Sequence, residues 1–323
     1  MCFCIRVEVS IEEFELNEQR NGNGQRTFRL ASQLRFASQS GVELGGRDRV
    51  TESCAVHMHT RFVAALALLP SLVISSPLNH DYYVLRHGQS LANVAGVISS
   101  DPRKAVIEHG LSETGKAQAD AAASQIASEA SQYQGVVIVA SDLRRAWQTA
   151  SIVRAHLVAA GVNVWPANGV LEHRMLRERS FGKLSGQSDD KYNDVWEFDK
   201  ESATHHEFGC ESVESVVERA RHVVDELEHC EALQAQSSNG KRWMVVLVAH
   251  GDVLQIAQTA FADVDPRTHR SLEHLETATL RKLHAPRWHE SDGSKIGREW
   301  LKAKAWPPAG AVYLCGTPVS YRA

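Results

Sequence analysis

Cysteine is scarce and badly placed for joint work. The six residues, Cys2, Cys4, Cys54, Cys210, Cys230 and Cys315, show no C-x-x-C spacing, so neither a disulfide framework nor a zinc site is written into the chain. An excess of one charge is also missing: 35 Lys and Arg stand against 39 Asp and Glu, a formal net charge of −4. That balance carries no electrostatic footprint for nucleic acid, which is not expected as a partner. No apolar run reaches the roughly 20 residues of a comfortable bilayer span. The stretch from Phe62 to Ile74 is broken by Pro70 and Ser71, so no stable membrane insertion is expected. Histidine is plentiful, yet His57, His59, His205 and His206 lack a cysteine or carboxylate partner at ligand spacing, and no metal is expected. There remains a chain of 323 residues, 43% apolar, long enough for one sizeable core and an appendage.

The first 57 residues mix charges, glycines and single apolar residues, with Asn21-Gly22-Asn23-Gly24 and Gly45-Gly46 as breakers. Runs such as Ile5 to Val9 have strand character, but no period is sustained. This part reads as a disordered or loosely attached extension, or as the product of a start codon set too early. Residues 58–79 fit two readings. Translated from Met58, the basic start at His59-Thr60-Arg61, the apolar stretch and Ser75-Ser76 form a secretory signal, which implies the secretory pathway. Translated from Met1, the segment is an internal apolar helix ended by Pro70, and the protein is cytoplasmic.

From Asp81 the chain changes character. Asp81 to Leu85, Val136 to Ala140 and Trp243 to Ala249 are apolar runs of the kind buried on both faces of a parallel sheet. Helical stretches separate them: one opened by Ser112 as N-cap and running to Ala130, one from about Ser141 to Ala160, one from Glu211 to Cys230 and one after Gly251. Residues 277–283 suit one more strand, whereas 172–209 read as a polar, mixed segment. The alternation predicts an α/β fold, an open, mostly parallel sheet with helices on both faces.

Position then singles out the chemistry. Arg86-His87, Arg144-Arg145 and His250-Gly251 each follow one of the three buried strands. Open parallel sheets form their ligand crevices at that edge. Guanidinium groups suit phosphate oxygens, and imidazole serves as nucleophile or base near neutral pH. A lone His-Gly pair is ordinarily a turn; two at equivalent strand ends are not. Arg144 and Arg145 oppose the macrodipole of the helix they open, at about 0.3–1 kcal/mol each, unless an anion binds over its N-terminus. Glu178, between Arg177 and Arg179, reads by itself as a surface ion pair.

With those residues assembled, the chain resembles the histidine phosphatase superfamily, the group that includes cofactor-dependent phosphoglycerate mutases. Leu85-Arg86-His87-Gly88-Gln89-Ser90 with Asn93 resembles its opening signature, and Gly110-Leu111-Ser112-Glu113-Thr114-Gly115 the stretch that follows. Ser141-Asp142-Leu143-Arg144-Arg145-Ala146 resembles the second arginine motif and selects Arg145 over Arg144. Leu176-Arg177-Glu178-Arg179-Ser180-Phe181-Gly182, Gly209-Cys210-Glu211-Ser212 and Val248-Ala249-His250-Gly251 complete the order. Asp142, Ala92 and Cys210 depart from the usual pattern without removing a catalytic group.

The resemblance implies a phosphoglycerate mutase-like fold over residues 80–285 and a phosphatase acting through a phosphohistidine. In it His87 is the nucleophile, Glu178 the proton donor, and Arg86, Arg145 and a cationic His250 hold the phosphoryl oxygens. Ser90, Asn93 and Gly251 line the substrate site, and neither metal nor cofactor is called for. The expected substrate is a small phosphorylated metabolite or a phosphopeptide. Residues 188–208, short, acidic and arginine-free, favour a hydrolase over a mutase and argue against a doubly anionic phosphoglycerate. A mutase-type phosphotransferase and a non-catalytic phosphate-binding relative are the alternatives. The tail from 286 to 323, the oligomeric state and the identity of the substrate are left open by the sequence.

Overall fold

The structure, a computed structural model, describes residues 78–236, 240–285 and 287–290, together with the backbone of four short strands outside those ranges. The chain divides into two units, Met1–Pro70 and Ser71–Ala323. In the first, β1 (Glu15–Arg20) pairs antiparallel with β2 (Arg26–Ala31) on either side of the Asn-Gly breakers. The strand character at Ile5 to Val9, the apolar run from Phe62 and the start-codon question at Met58 lie outside the described residues.

The second unit is built on three strands whose side chains are almost wholly buried. They are β3 (Asp81–Arg86), β4 (Val136–Ala140) and β7 (Met244–Ala249). β7 lies between β3 and β4 and runs parallel to both, pairing Arg86 with Ala249 on one side and Ala140 with Val248 on the other. The full order is β5-β4-β7-β3-β8, with β5 (Val164–Trp165) and β6 (Leu171–Glu172) parallel beside β4, and β8 (Leu280–Lys282) the antiparallel edge. The open, mostly parallel sheet expected from the sequence is therefore present, and 277–283 yields its edge strand.

Alternation along these strands feeds two cores. Tyr83, Leu85, Ile138, Val246 and Val248 face α3 (Glu113–Ala130) and α4 (Arg144–Ala159). Tyr82, Val84, Val137, Val245 and Leu247 face α6 (Val213–Glu228) and α8 (Gly251–Ala262). Each large apolar side chain so buried contributes about 1.5–3 kcal/mol, which explains why the strands read as unbroken apolar runs. Ser112 caps α3 as expected, its hydroxyl accepting from Gly115 N at 3.0 Å. Among the described residues no helix is long and apolar enough to cross a membrane.

Between these elements lie α1 (Leu91–Ala95), α2 (Pro102–Ala105), α5 (Tyr192–Glu201) and α7 (Glu231–Gln236). Of these, α5 gives a helix to the polar, mixed segment 172–209, where none was expected. It sits in a small separate core of Ile98, Phe181, Leu184, Val195 and Cys210. The packed domain also passes the expected boundary at 285. Trp288 lies 4.7 Å from the Phe261 ring, and its Nε1 donates to Asp225 Oδ1 at 2.8 Å. Farther along the tail, β9 (Val312–Leu314) and β10 (Thr317–Val319) form a short antiparallel pair.

Candidate active site

Because β7 separates β3 from β4, their three C-terminal ends are neighbours, and backbone bonds lock them together. His87 N donates to Ala249 O at 2.9 Å and Ser141 N to Val248 O at 3.0 Å. A cleft of about 350 Å³ opens above these ends. Arg86, His87, Ser90, Asn93, Arg145, Glu178 and Gly251, seven of the eight residues expected from the sequence, line it. His250 does not; its ring stands behind His87, with centroids 5.2 Å apart.

The tautomer of His87 follows from its two partners. Nδ1 is 2.7 Å from Gly88 O, and a carbonyl only accepts, so Nδ1 carries the proton. On the other side Arg145 Nε donates to His87 Nε2 at 3.0 Å, which requires a lone pair there. Two independent contacts thus leave Nε2 as the unprotonated nitrogen. Burial, with the charges of Arg145 and Arg86, pushes the His87 pKa well below its ordinary value, so the ring is neutral. The turn beneath it is tight. A Cβ on Gly88 would lie 2.3 Å from Gly115 O, so only glycine lets the loop pass the start of α3.

The cations are fixed by their own partners. Arg145 NH2 donates to Ser99 O at 3.0 Å. Arg86 NH1 donates to Leu275 O at 2.7 Å, while its buried Nε has no partner among the described residues. Gly251, expected to touch substrate, has a steric role as well: a Cβ there would lie 3.2 Å from Arg86 Cζ. Arg144, the rejected arginine, turns away and donates to Ile107 O.

Glu178 departs from the ion-pair reading. Arg177 Nε donates to Asp142 Oδ1 at 2.7 Å, and Arg179 bonds both oxygens of Asp199 at 2.7 Å, so neither flanking arginine pairs with Glu178. Asp142, a departure from the family pattern, thereby ties the Glu178 loop to the start of α4. Glu178 itself is buried and accepts from Arg179 N and Val253 N. Burial, followed by the Asp252 charge, raises its pKa against the opposing pull of Arg145 and those two amides. A carboxyl group in the cleft is thus biased towards its protonated form.

His250 differs from expectation. Burial, the Arg145 charge, the neighbouring His87 ring, and the Arg219 and Arg86 charges lower its pKa far below the ordinary value, so it is neutral rather than cationic. Its Nε2 bonds Ser141 Oγ at 2.8 Å, and its buried Nδ1 lacks a partner among the described residues. Ser90 and Asn93 also have prior engagements. Ser90 caps α1 in a reciprocal box with Asn93: Ser90 N donates to Asn93 Oδ1 at 3.0 Å, and Asn93 N to Ser90 Oγ at 3.2 Å. Glu211 and Ser212 lie away from the cleft. Glu211 pairs with buried Arg219 at 2.8 Å and receives Ser180 N, which pins the loop bearing Glu178.

Sequence reasoning missed Tyr192, Trp196, Asp252, Arg270 and His274, all of which line the cleft. The aromatic pair at i and i+4 in an acidic stretch was the available signal for Tyr192 and Trp196. Nothing local marks Arg270 or His274. Among the described residues no group of three His, Cys, Asp or Glu side chains is arranged to hold a metal. The His205-His206 pair has structural partners, with His205 Nε2 on Asp199 Oδ1 at 2.6 Å.

A family model described as the histidine phosphatase superfamily (branch 1) matches residues 82–291. A solved mycobacterial hydrolase is 28% identical, with a TM-score of 0.50, covering 63% of this chain and 88% of its own. A mycobacterial glucosyl-3-phosphoglycerate phosphatase solved with VO3 is 27% identical, covering 63% of this chain and 90% of its own at a TM-score of 0.49. A phosphoserine phosphatase from Entamoeba histolytica is 18% identical, covering 67% of this chain and 99% of its own at a TM-score of 0.46. No curated protein matches the chain.

Proposed function

This chain belongs to the histidine phosphatase superfamily, and on that premise we propose that it hydrolyses a phosphomonoester through a phosphohistidine on His87. The observation that carries the reading is the state of His87: a neutral ring, protonated on Nδ1, whose bare Nε2 meets Arg145 in a cleft that also holds a carboxyl group biased towards protonation.

Two displacements complete the reaction. His87 Nε2 attacks phosphorus, the bond from phosphorus to the alcohol oxygen breaks, and Glu178 gives its proton to the departing alkoxide. Water then attacks the phosphohistidine while the Glu178 carboxylate takes its proton, the P–N bond breaks, and both residues return to their starting forms. Arg86 and Arg145 carry the growing negative charge on the phosphoryl oxygens. His250, neutral beforehand, is drawn towards its protonated form by an arriving phosphate dianion.

Phosphate release from a panel of phosphorylated metabolites and phosphopeptides, with acid-quenched enzyme assayed for labelled histidine, tests this. Release of free phosphate with a label on His87 is the expected result. Transfer of the phosphoryl group to a second alcohol in place of water would point to the mutase-type reaction, and no label at all to a binding module. Because the two guanidinium groups neutralise the phosphoryl charge, activity is expected to survive EDTA undiminished; its abolition by chelator would overturn the metal-free chemistry.

The pKa directions set the pH dependence. His87, lowered far below its ordinary value, stays an unprotonated nucleophile well into acid. Glu178, raised, is the required acid below its pKa and loses that role as pH rises through it. With a poor alkyl leaving group, kcat/KM is therefore expected to peak on the acid side of neutrality and fall towards alkali. Glu178→Gln should remove that pH dependence along with most of the rate. An alkaline optimum on an alkyl phosphate would contradict the assignment of Glu178.

A further inference from the structure

The cleft holds a cation that the phosphoryl chemistry leaves unused. Arg270 lies on the 3-10 helix Pro266–Ser271, which follows α8, and lines the same cleft as His87. The carbon of its guanidinium lies over the Trp196 ring, 3.8 Å from the centroid. It makes no hydrogen bond or ion pair among the described residues, whereas Arg86 is bonded to Leu275 and Arg145 to His87 and Ser99. The platform under Arg270 is itself fixed: Trp196 Nε1 donates to Asp252 Oδ1 at 3.0 Å, and the indole stacks on Tyr192 with planes 8° apart. Asp252 is in turn held by buried Arg179 at 3.1 Å; its charge reaches Arg270, but the two form no ion pair.

Charge balance gives this arrangement a meaning. Arg86 and Arg145 match the two charges of a phosphomonoester. A third guanidinium, near enough to Arg86 to be affected by its charge, then faces the cleft with no counter-ion bonded to it among the described residues. The acidic residues of the cleft wall stand elsewhere: Asp190 accepts from Ser188, and Asp189 lies beside Gly96 at the end of α1. A planar fork held in one orientation loses little freedom on binding and suits a carboxylate or phosphate.

We propose that Arg270, seated over the Trp196 ring, is a specificity-determining residue that receives a second anionic group on the leaving alcohol, a carboxylate or a further phosphate. The protein's preferred substrates are then phosphate monoesters that carry a second anionic group. This rests on the phosphatase reading above and names its substrate class. It reverses the inference drawn from arginine-free residues 188–208, because the second cation comes from the segment after the second histidine.

The test uses the full chain and three matched compounds: the phosphate ester of a small hydroxy acid, the ester of the corresponding hydroxy amide, and the bisphosphate of the corresponding diol. In the parent, kcat/KM for the acid or the bisphosphate should exceed that of the amide by about tenfold or more, the scale of a charged hydrogen-bonded contact. A preference for the acid identifies a carboxylate site and a preference for the bisphosphate a phosphate site. Arg270→Gln should erase the preference by raising KM, with kcat on the amide held within about twofold. Equal rates on all three in the parent, or an equal loss on all three in Arg270→Gln, overturns the proposal while leaving the phosphatase intact. Should no ester be hydrolysed and no histidine be labelled, it is the phosphatase reading that fails. Calorimetric binding of the same compounds to His87→Ala and to His87→Ala/Arg270→Gln then decides Arg270. Tighter binding of an anionic member only when Arg270 is present supports the subsite, and indifference overturns it.

Discussion

Replacing His87 with alanine should lower phosphomonoester turnover by about 10⁵–10⁶-fold, the scale seen when a covalent nucleophile is removed. The loss should fall on kcat, because the residues that hold the phosphoryl group survive the change. Arg145 keeps its bond to Ser99 O and Arg86 its bond to Leu275 O, so substrate still binds. The acid-labile label should vanish together with the rate. Single-turnover phosphate release and labelling of the same preparation check both. A fall of only about 10²–10³-fold, the scale of one missing electrostatic donor, would make His87 a phosphate ligand and move the nucleophile elsewhere.

The second large effect concerns stability. Arg179 is completely buried and bonds both oxygens of Asp199, one of Asp252 at 3.1 Å, and Glu211 O at 2.7 Å. Burial works against the Asp199 charge, yet hydrogen bonds from His269, Arg179 and His205 and the Arg179 charge outweigh it and hold the carboxyl well below the usual range. Arg179→Met leaves two buried carboxylates without their cation and should reduce unfolding free energy by about 3–5 kcal/mol. Urea denaturation at neutral pH measures this as a lower midpoint. The sign of its pH dependence follows. In the parent, the lowered pKa of Asp199 contributes stability that is present above the unfolded-state value of about 3.9 and lost only as pH falls through the folded value. In the variant Asp199 loses the Arg179 part of that stabilisation, and the uncompensated buried charge is relieved by protonation. The gap between the two proteins should therefore narrow from pH 7 towards pH 4. A neutral-pH loss below about 1 kcal/mol would match an exposed pair and contradict the buried network.

What could be read in the sequence divides along physical lines. β3, β4 and β7 are buried on both faces, so their residues are apolar without interruption, and the groups just beyond them could be placed from the ends of those runs alone. Ser112 as a cap followed from local rules in the same way. Helix α5 escaped because its buried side includes Asp199, a residue that burial patterns exclude unless a partner such as Arg179 arrives from elsewhere in the chain. Glu178 escaped the residue-by-residue reading for the same reason. Its flanking arginines look like its partners, yet they are committed to Asp142 and Asp199, and only resemblance to the superfamily supplied its role. The neutral state of His250 depends on desolvation and on four charged or titrating neighbours gathered by the fold, which no spacing encodes. Arg270 acquires its place from Trp196, a contact between two segments that share no motif.

The interposition of β7 has a temporal consequence. β3 and β4 are made first, but neither bonds the other in the sheet; each pairs with β7, which is made long after both. A chain leaving the ribosome therefore exposes two apolar strand edges and carries His87 for about half of its synthesis without the strand that aligns it. The backbone bond from His87 N to Ala249 O, and that from Ser141 N to Val248 O, form only when β7 slots between them. Assembly of the cleft is thereby tied to near-completion of the domain, and a chain truncated before Met244 would lack the cleft and be prone to edge-to-edge association.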